Sequence, residues 1–464
     1  MLVGPSIDVC WGGGIANSGN VVEHSATRRR QESEPTRTAP VLSTEVDPDG
    51  LKRVPTANRV RSLTGIRAAA AVMVVGTHAA YATGKETQTH GYVGLLCSRL
   101  EIGVPIFFVL SGFLLFSPWV KAAANGSTPP RVRRYVWRRV RRIMPAYVVI
   151  VLLAFLVYQF HSDGPNPGQT WIGLFRYLTL TQIYTANYML SYQHQGLTQM
   201  WSLAVEVAFY AALPLLSYLL LVVLCRRRWR PELLLAGLAA LAALTPVWLI
   251  VLHTSDWLPS AAGMWLPANL ACFAGGMALA VLQAMGARCY AFVVIPLALV
   301  SYLIVATPIA GGVGLSPVKV WEPLAKAMFY AIIAMLVVAP LVLDDRGWYA
   351  RMLSSRPMVW LGEISYEIFL IHVIMMAFAA DSVLRRPAFT GSMTVLFVVT
   401  LLMTVPLAWV LYRAMHPDRR RTPSVGPVIS ASREFRQLDR IRPACVQCPP
   451  GARPASWSGR QCTR

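Results

Sequence analysis

Two ionisable residues, Arg67 and His78, stand inside one long apolar stretch of the sequence, and four consecutive alanines (residues 68–71) follow the arginine. Eleven positions separate the arginine from the histidine. At about 100° per residue, this separation is three helical turns plus about 20°, so a helix would present both side chains on one face, about 16 Å apart. The alanines would keep that helix slim, so that a neighbouring helix or a ligand can approach closely.

Ionisable groups at membrane depth are costly, and they usually face a partner or a water-filled cavity. A neutral, buried histidine is suited to accept a proton near physiological pH, so we predict that His78 is a general base and that Arg67 belongs to the same catalytic site. Simpler roles stay open for both residues. Arg67 would also serve as a surface anchor, and His78 as a hydrogen-bonding partner of another helix.

A second set of polar side chains recurs every four residues at Ser202, Glu206 and Tyr210, directly after Trp201. Residues at this spacing share one face of a helix. An unpaired carboxylate there would be costly, so we expect Glu206 to contact His78 or a substrate hydroxyl. We predict that Glu206 is catalytic and that the others bind substrate, namely Trp201, Ser202 and Tyr210.

A strongly basic run follows the second apolar segment: Arg131-Val-Arg-Arg-Tyr-Val-Trp-Arg-Arg-Val-Arg-Arg-Ile-Met-Pro145. Helical spacing places several of its arginines on one face. Two interpretations are equally open. The face either attracts anionic lipid headgroups or binds the phosphates of a cytoplasmic donor, because arginine binds phosphate through two parallel hydrogen bonds. The donor-site prediction names Arg138, Arg141 and Arg142.

Two further polar residues lie in apolar segments. Ser111 precedes Gly112, and this pair most simply allows close helix packing. His372 stands in the ninth apolar segment, where a structural and a catalytic role are both open.

The composition indicates a membrane protein, because 55% of residues are hydrophobic and only 14% are charged, whereas soluble domains carry about 25% charged residues. The net charge of +21 does not predict a nucleic-acid partner. The basic residues lie in the termini and in short loops, as the positive-inside rule expects. Cys445 and Cys448 form a lone CxxC with Cys462 nearby, which is too little to predict a zinc site, and we predict no metal.

The hydropathy pattern predicts an all-α, polytopic bundle of about ten transmembrane helices in the cell membrane, with both termini cytoplasmic. Residues 1–59, which lack the apolar core of a signal peptide, are expected to be a disordered cytoplasmic segment. Residues 60–415 form the membrane domain, and residues 416–464 a basic, disordered cytoplasmic tail. The ten spans are placed near residues 64–83, 101–120, 144–160, 201–225, 232–252, 265–286, 290–310, 324–343, 358–380 and 391–415.

The longest predicted external connection, about 161–200, is rich in aromatic residues: Trp171, Tyr177, Tyr184, Tyr188 and Tyr192. Such a segment is expected to lie at the outer membrane interface, and a role in lining a sugar-binding groove also stays open.

Five strings in this order resemble the acyltransferase-3 family of bacterial membrane O-acyltransferases, over about residues 60–415. They are Thr64-Gly-Ile-Arg67 with His78, Phe107-Phe-Val-Leu-Ser-Gly-Phe-Leu-Leu115, the arginine run ending Arg142-Ile-Met-Pro145, Trp201-Ser-Leu-Ala-Val-Glu206-Val-Ala-Phe-Tyr210, and Ile364-Ser-Tyr366 with His372. The chain departs from the family at Thr64 and Pro105, where members often carry aspartate.

The resemblance implies a ten-helix bundle that transfers an acyl group, commonly acetyl, from cytoplasmic acyl-CoA to a hydroxyl of an extracytoplasmic carbohydrate, glycolipid or lipid-linked glycan. Arg67 and His78 match positions that are essential in the family, and its donor-side arginines are similar to Arg138, Arg141 and Arg142. We expect direct transfer with His78 as base and Glu206 orienting the imidazole or the acceptor, and a covalent route through Ser111 stays open. The alternative is a proton-coupled exporter of glycans or lipids without acyl transfer.

Overall fold

The structure is a computed structural model that describes residues 56–85, 91–160, 164–312, 319–387 and 389–416. The predicted disorder of both terminal segments, the predicted cytoplasmic location of both termini, and the cysteines Cys445, Cys448 and Cys462 all lie outside these residues.

Every regular element in these ranges is helical, which confirms the all-α prediction. The elements are α1 (Thr56–Ala82), α2 (Gly91–Ser98), α3 (Gly103–Ala124), α4 (Val132–Phe160), α5 (Trp171–Leu178), α6 (Tyr188–Ser191), α7 (Met200–Tyr218), α8 (Pro231–Thr254), α9 (Leu266–Ala284), α10 (Ala291–Val305), α11 (Trp321–Val342), α12 (Trp348–Leu353), α13 (Arg356–Glu363), α14 (Ser365–Phe378) and α15 (Met393–Met415).

Nine helical stretches among the described residues are long and apolar enough to cross a membrane, so the chain is a multi-pass membrane protein. They are Arg59–Ala82, Gly91–Ala124, Val132–Phe160, Met200–Leu224, Pro231–Thr254, Ser260–Ala284, Trp321–Val342, Ser365–Val383 and Met393–Met415. The seventh predicted span corresponds to α10, which is apolar but has only 15 residues. A helix perpendicular to the bilayer needs about 20 residues to cross it.

The basic run is part of the third membrane helix rather than a separate loop. Helix α4 begins at Val132 and has 29 residues, whereas the sequence placed its start near residue 144. At 1.5 Å per residue it is about 43 Å long, which exceeds the hydrocarbon thickness of about 30 Å. Its arginine-bearing first turns therefore extend beyond the apolar layer.

Helix α1 is held by unusually close backbone contacts. A methyl group built on Gly65 would lie 1.9 Å from the carbonyl oxygen of Leu353, and one on Gly362 would lie 1.9 Å from that of Thr64. On another side of α1, a methyl group on Gly103 would lie 2.4 Å from the carbonyl oxygen of Ala70. Helices approach this closely only where glycine faces the neighbouring backbone, so these contacts fix the position of α1.

Residues 164–199 enter the bundle instead of lying only on its surface. Tyr147 donates a hydrogen bond to the carbonyl oxygen of Tyr177 (2.6 Å), although Tyr147 is thirteen residues, about 20 Å, before the end of α4. Gln199 donates one to the carbonyl oxygen of Leu370 in the middle of α14 (2.9 Å). Helix α7 therefore begins deep in the bundle, at the level of Leu370.

The aromatic residues of this segment divide between two environments. Tyr177 and Tyr188 are buried, and their hydroxyl groups lie 3.0 Å apart, whereas Trp171 is 86% exposed. The interfacial prediction describes Trp171 but not the two buried tyrosines, which anchor the segment to the helices.

Candidate active site

Two cavities open at opposite ends of the same helix pair, α1 and α14. We call them inner and outer after the sidedness that the sequence predicts. The inner cavity has a volume of about 210 Å³ and is lined by Arg67 of α1 and Phe369 of α14. The outer cavity has a volume of about 680 Å³ and is lined by His78 of α1 and Val373 of α14. Arg67 and His78 thus face two different compartments, about 16 Å apart along α1.

The inner cavity carries a net positive charge. Its charged lining side chains are three cations and one carboxylate: Arg67, Arg139, Arg142 and Glu206. Glu206 accepts hydrogen bonds from the hydroxyl groups of Ser111 and Tyr210, which also line the cavity. The carboxylate is thereby satisfied, and the surplus of positive charge favours an anionic ligand.

The face of α4 that lines this cavity differs from the predicted one. Arg142 lines it as predicted, together with Arg139, whereas Arg138 and Arg141 are exposed outside the lining. The Nε atom of Arg139 is buried and has no hydrogen-bond partner among the described residues. One turn earlier, Tyr135 donates a hydrogen bond to the carbonyl oxygen of Tyr210 (3.1 Å), which holds this face of α4 against α7.

The outer cavity places His78 beside hydroxyl, amide and charged groups. Its polar lining includes Tyr81, Tyr158, Gln195, Thr198, Asp381 and Arg386. The Nδ1 atom of His78 lies 2.8 Å from the carbonyl oxygen of Val74. Because a carbonyl oxygen only accepts hydrogen bonds, Nδ1 carries the hydrogen of the neutral ring and Nε2 keeps its lone pair. His78 therefore has the tautomer that a base acting through Nε2 requires.

The structure does not bring Glu206 and His78 together. Glu206 lies six residues, about 9 Å, beyond the start of α7, and this start is already level with Leu370. Glu206 consequently lies in the inner cavity, where its recorded partners are Ser111 and Tyr210. The expected contact with His78 is not made within the described residues.

Two of the three predicted substrate-binding residues also lie on the inner side. Ser202 and Tyr210 line the inner cavity with Arg67. Trp201 is half-buried, packs against the hydrophobic core and lines neither cavity. The structure thus groups Ser202 and Tyr210 with the predicted donor side rather than with the outer cavity.

A short apolar layer separates the two cavities. On α1 the residues between Arg67 and His78 include Ala71 and Val74, each only 1% exposed. On α14 the layer lies between Phe369 and Val373 and contains Leu370 and His372, which are both fully buried. Any group that passes from one cavity to the other must cross this layer.

One residue of the site, Arg139, was not predicted. Arg139 would have been found by extending the buried α4 positions Ile143, Ala146 and Tyr147 backwards by one helical turn, since 139, 143 and 146 share a face. For His372, the sequence leaves a structural and a catalytic role open. Its ring contacts that of His78, with centroids 4.9 Å apart, and sequence periodicity carries no signal for a contact between two helices.

The described ranges contain no group of three or more His, Cys, Asp or Glu side chains that could hold a metal ion. For a phosphorylated donor such as acyl-CoA, the residues fit. The inner cavity offers three guanidinium groups, and within the described part of the chain the buried Nε of Arg139 is a donor without an acceptor.

Comparison with known proteins identifies the family. The sequence profile described as "Acyltransferase domain", that of the acyltransferase-3 family, matches residues 60–413. Peptidoglycan O-acetyltransferase OatA of Listeria monocytogenes is 28% identical over 334 residues, which are 68% of this chain and 49% of that protein. Acyltransferase MdmB of Streptomyces mycarofaciens is 27% identical over 339 residues, 69% of this chain and 80% of that protein.

O-acetyltransferase OatA of Staphylococcus aureus is 22% identical over 343 residues, 69% of this chain and 52% of that protein. The chain therefore spans about half the length of the two OatA proteins. No solved structure matches it. The family profile covers all residues of both cavities and all but the outermost residues of the first and last membrane helices. It confirms the resemblance that the motifs indicated: this chain belongs to the acyltransferase-3 family.

Proposed function

We propose that this chain is a membrane O-acyltransferase that moves an acyl group from cytoplasmic acyl-CoA to a hydroxyl group on the outer side. The acceptor is a carbohydrate, a glycolipid or a lipid-linked glycan, and acetyl-CoA is the first donor to test. The observation that carries this proposal is the placement of the two cavities. A cationic cavity and a histidine-bearing cavity lie at the two ends of one helix pair. The two OatA relatives, which are named O-acetyltransferases, support the reaction class.

On the donor side, Arg67, Arg139 and Arg142 would hold the phosphate groups of acyl-CoA. Guanidinium groups bind phosphate through paired, charge-assisted hydrogen bonds that neutral side chains cannot replace. Glu206, with Ser111 and Tyr210, shapes the wall against which the rest of the donor lies. We therefore assign Glu206 to the donor side instead of to His78.

On the acceptor side, Nε2 of His78 takes the proton of the acceptor hydroxyl. The oxygen then bonds to the carbonyl carbon of the thioester, and the carbon–sulfur bond breaks. The thiolate of CoA leaves and takes up a proton on the cytoplasmic side, while His78 releases the acceptor's proton to the outer cavity. A positioned base contributes about 10²–10⁴-fold to the rate of such a step. The Val74 carbonyl keeps His78 in the required tautomer throughout.

The direct route needs no acyl-enzyme intermediate. Ser111 donates its hydroxyl hydrogen to Glu206 in the inner cavity, so it is the residue on which a covalent intermediate would form. Direct transfer predicts that the intact protein gains no acyl mass when it is incubated with acyl-CoA alone, and Ser111→Ala then retains transfer activity.

The test is acyl transfer by purified protein in lipid nanodiscs. Release of free CoA thiol and labelling of an acceptor extract from the cell envelope are measured together, for the wild type and for His78→Ala. We expect the wild type to show both signals, and His78→Ala to lose at least about 10²-fold in rate while it still binds acyl-CoA.

Two outcomes would contradict the proposal. His78→Ala with normal expression and undiminished transfer would remove the assigned base. Movement of a glycan or lipid across proteoliposome membranes without consumption of acyl-CoA would instead identify an exporter. Deletion of the gene, followed by mass spectrometry of envelope glycans and glycolipids, would then identify the acceptor and the acyl group by the mass that is lost.

A further inference from the structure

A second histidine, His372, lies directly behind the predicted base. Its ring centroid is 4.9 Å from that of His78, and the two ring planes are inclined at 79°. Its helix neighbours Val373 and Met376 line the outer cavity together with His78, but His372 is fully buried and does not line it. His372 therefore contacts the base from a position that an acceptor cannot reach.

The hydrogen bonds of His372 define its tautomer. Its Nδ1 lies 2.8 Å from the carbonyl oxygen of Phe369 and 3.2 Å from that of Ile368. Both carbonyl oxygens only accept hydrogen bonds, so Nδ1 carries the hydrogen and Nε2 keeps a lone pair. That Nε2 is buried and has no hydrogen-bond partner among the described residues. Buried polar atoms are rarely left unpaired, and the exceptions concentrate at functional sites.

The reaction creates a positive charge on a ring that contacts His372. When His78 takes the proton of the acceptor, its ring becomes a cation, and the described residues give it no carboxylate in ion-pair contact. The polar groups in contact with the ring are the carbonyl oxygen of Val74 and the imidazole of His372. The carboxylate of Glu101 acts on His78 from beyond contact distance, and it is itself bound by Lys326 and Tyr330. A neutral imidazole offers a cation its ring electrons and its lone pair, and burial in an apolar layer strengthens this attraction.

We propose that His372 is a positioning residue for His78: its neutral ring holds the base in place, and its unpaired Nε2 stabilises the positive charge that His78 acquires during acyl transfer. The inference rests on the proposed function and adds a residue to it. No proton is transferred to His372 in this scheme. The proton moves from the acceptor hydroxyl to Nε2 of His78, while both Nδ1 atoms keep their hydrogens.

Two substitutions separate this role from a structural one. In His372→Asn, the amide nitrogen lies near the former site of Nδ1. The hydrogen bond to the carbonyl oxygen of Phe369 is kept, and the Nε2 atom is lost. Glutamine places its amide near the site of Nε2 and loses the Nδ1 position instead. If the charge-stabilising role is correct, His372→Gln retains more activity than His372→Asn; if the ring only ties α14 together, the order is reversed. Ile371→Val, at the adjacent buried position, is the control for a small change in packing.

The experiment measures kcat and both KM values in nanodiscs, with thermal unfolding as the check on folding. We expect His372→Asn to lower kcat about ten- to a hundred-fold and to leave both KM values unchanged. This loss is smaller than the loss of the base itself, which contributes about 10²–10⁴-fold. A double-mutant cycle with His78→Ala decides whether His372 acts through His78. In the His78→Ala background, His372→Asn should cause no further loss.

Each result bears on a distinct claim. Wild-type protein that transfers no acyl group refutes the proposed function and this inference with it. If the wild type transfers normally and a folded His372→Asn has an unchanged kcat, the role of His372 is refuted and the proposed function stands. An equal loss with and without His78 refutes it as well. If His372→Asn does not fold, the same cycle is carried out with His372→Gln. The proposal is then refuted if His372→Gln lowers kcat as much in the His78→Ala background as in the wild type.

Discussion

Replacement of Gly65 by alanine should strongly lower the activity of the protein, although Gly65 lines neither cavity. The added methyl carbon would lie 1.9 Å from the carbonyl oxygen of Leu353, and real Cβ atoms essentially never come within 3.0 Å of such an atom. Helix α1 must therefore move away from α12 by about 1 Å or more. The obstacle is backbone rather than a flexible side chain, so a rotamer change cannot relieve it.

The displacement acts on both ends of the site, because α1 carries Arg67 two residues later as well as His78. A misplacement of about 1 Å can lower a rate about 10²-fold, even when the substitution lies far from the chemistry. The extra volume also lowers the free energy of unfolding by about 1–3 kcal/mol, the usual cost of overpacking. We thus expect kcat/KM to fall about 10²-fold, while the protein still folds.

The assay is acyl transfer in nanodiscs, with thermal unfolding measured on the same samples. Gly312→Ala is the matched control, since a methyl group built on Gly312 meets no atom within 4 Å. Unchanged kcat/KM for Gly65→Ala would refute the reasoning, because it would show that the contact between α1 and α12 does not position the site. Equal losses for both variants would show that the assay reports glycine replacement in general.

Three further outcomes are expected. Arg139→Gln should raise KM for acyl-CoA about ten- to a hundred-fold, since a hydrogen bond to a charged group contributes about 1.5–3 kcal/mol, whereas the exposed Arg133→Gln should not. Ala71→Leu, in the layer between the cavities, should abolish transfer while acyl-CoA binding measured by titration persists. Burial lowers the pKa of His194, in the external segment, to about 4. Between about pH 4 and 6.5 the unfolded chain therefore binds a proton that the folded chain does not. The free energy of unfolding should fall by up to about 3 kcal/mol as the pH falls from about 6.5 to 4, and thermal unfolding measures this loss.

Each of these expectations has a contrary result. Equal KM values for Arg139→Gln and Arg133→Gln would remove Arg139 from the donor site. Full transfer by Ala71→Leu would show that the acyl group does not pass beside Ala71. An acid-induced loss of stability that persists in His194→Phe, which keeps an aromatic ring among Phe155 and Tyr158, would assign the loss to other groups.

The arrangement along α1 could be predicted from the sequence because it depends on a single helix. The spacing of Arg67 and His78 determines their shared face and their separation, whatever surrounds them. On α4, the same reasoning named Arg142 but not Arg139 among the residues that line the inner cavity. Arginines surround the first turns of α4, so charge alone does not show which of Arg138 and Arg139 points inward. The buried apolar residues that define the inward face begin only at Ile143, one turn later.

The depth of Glu206 could not be predicted because it depends on contacts between elements. A polar, aromatic segment precedes α7, so hydropathy predicts that α7 starts at the membrane surface. Here that segment enters the bundle, where Tyr147 and Gln199 bind backbone carbonyl groups, so α7 starts lower. The contact between His78 and His372 is of the same kind, since it joins residues nearly three hundred positions apart.

The layer that separates the two cavities also has an electrical consequence. In the proposed reaction the acceptor gives up its proton on the outer side, and the thiolate of CoA takes one up in the cytoplasm. Each turnover then moves one positive charge outward through the field of the membrane, although no ion passes through the protein. At a membrane potential of 100 mV, negative inside, this opposes the reaction by about 2.3 kcal/mol. The rate of the enzyme in energised vesicles should therefore rise when the membrane potential is collapsed.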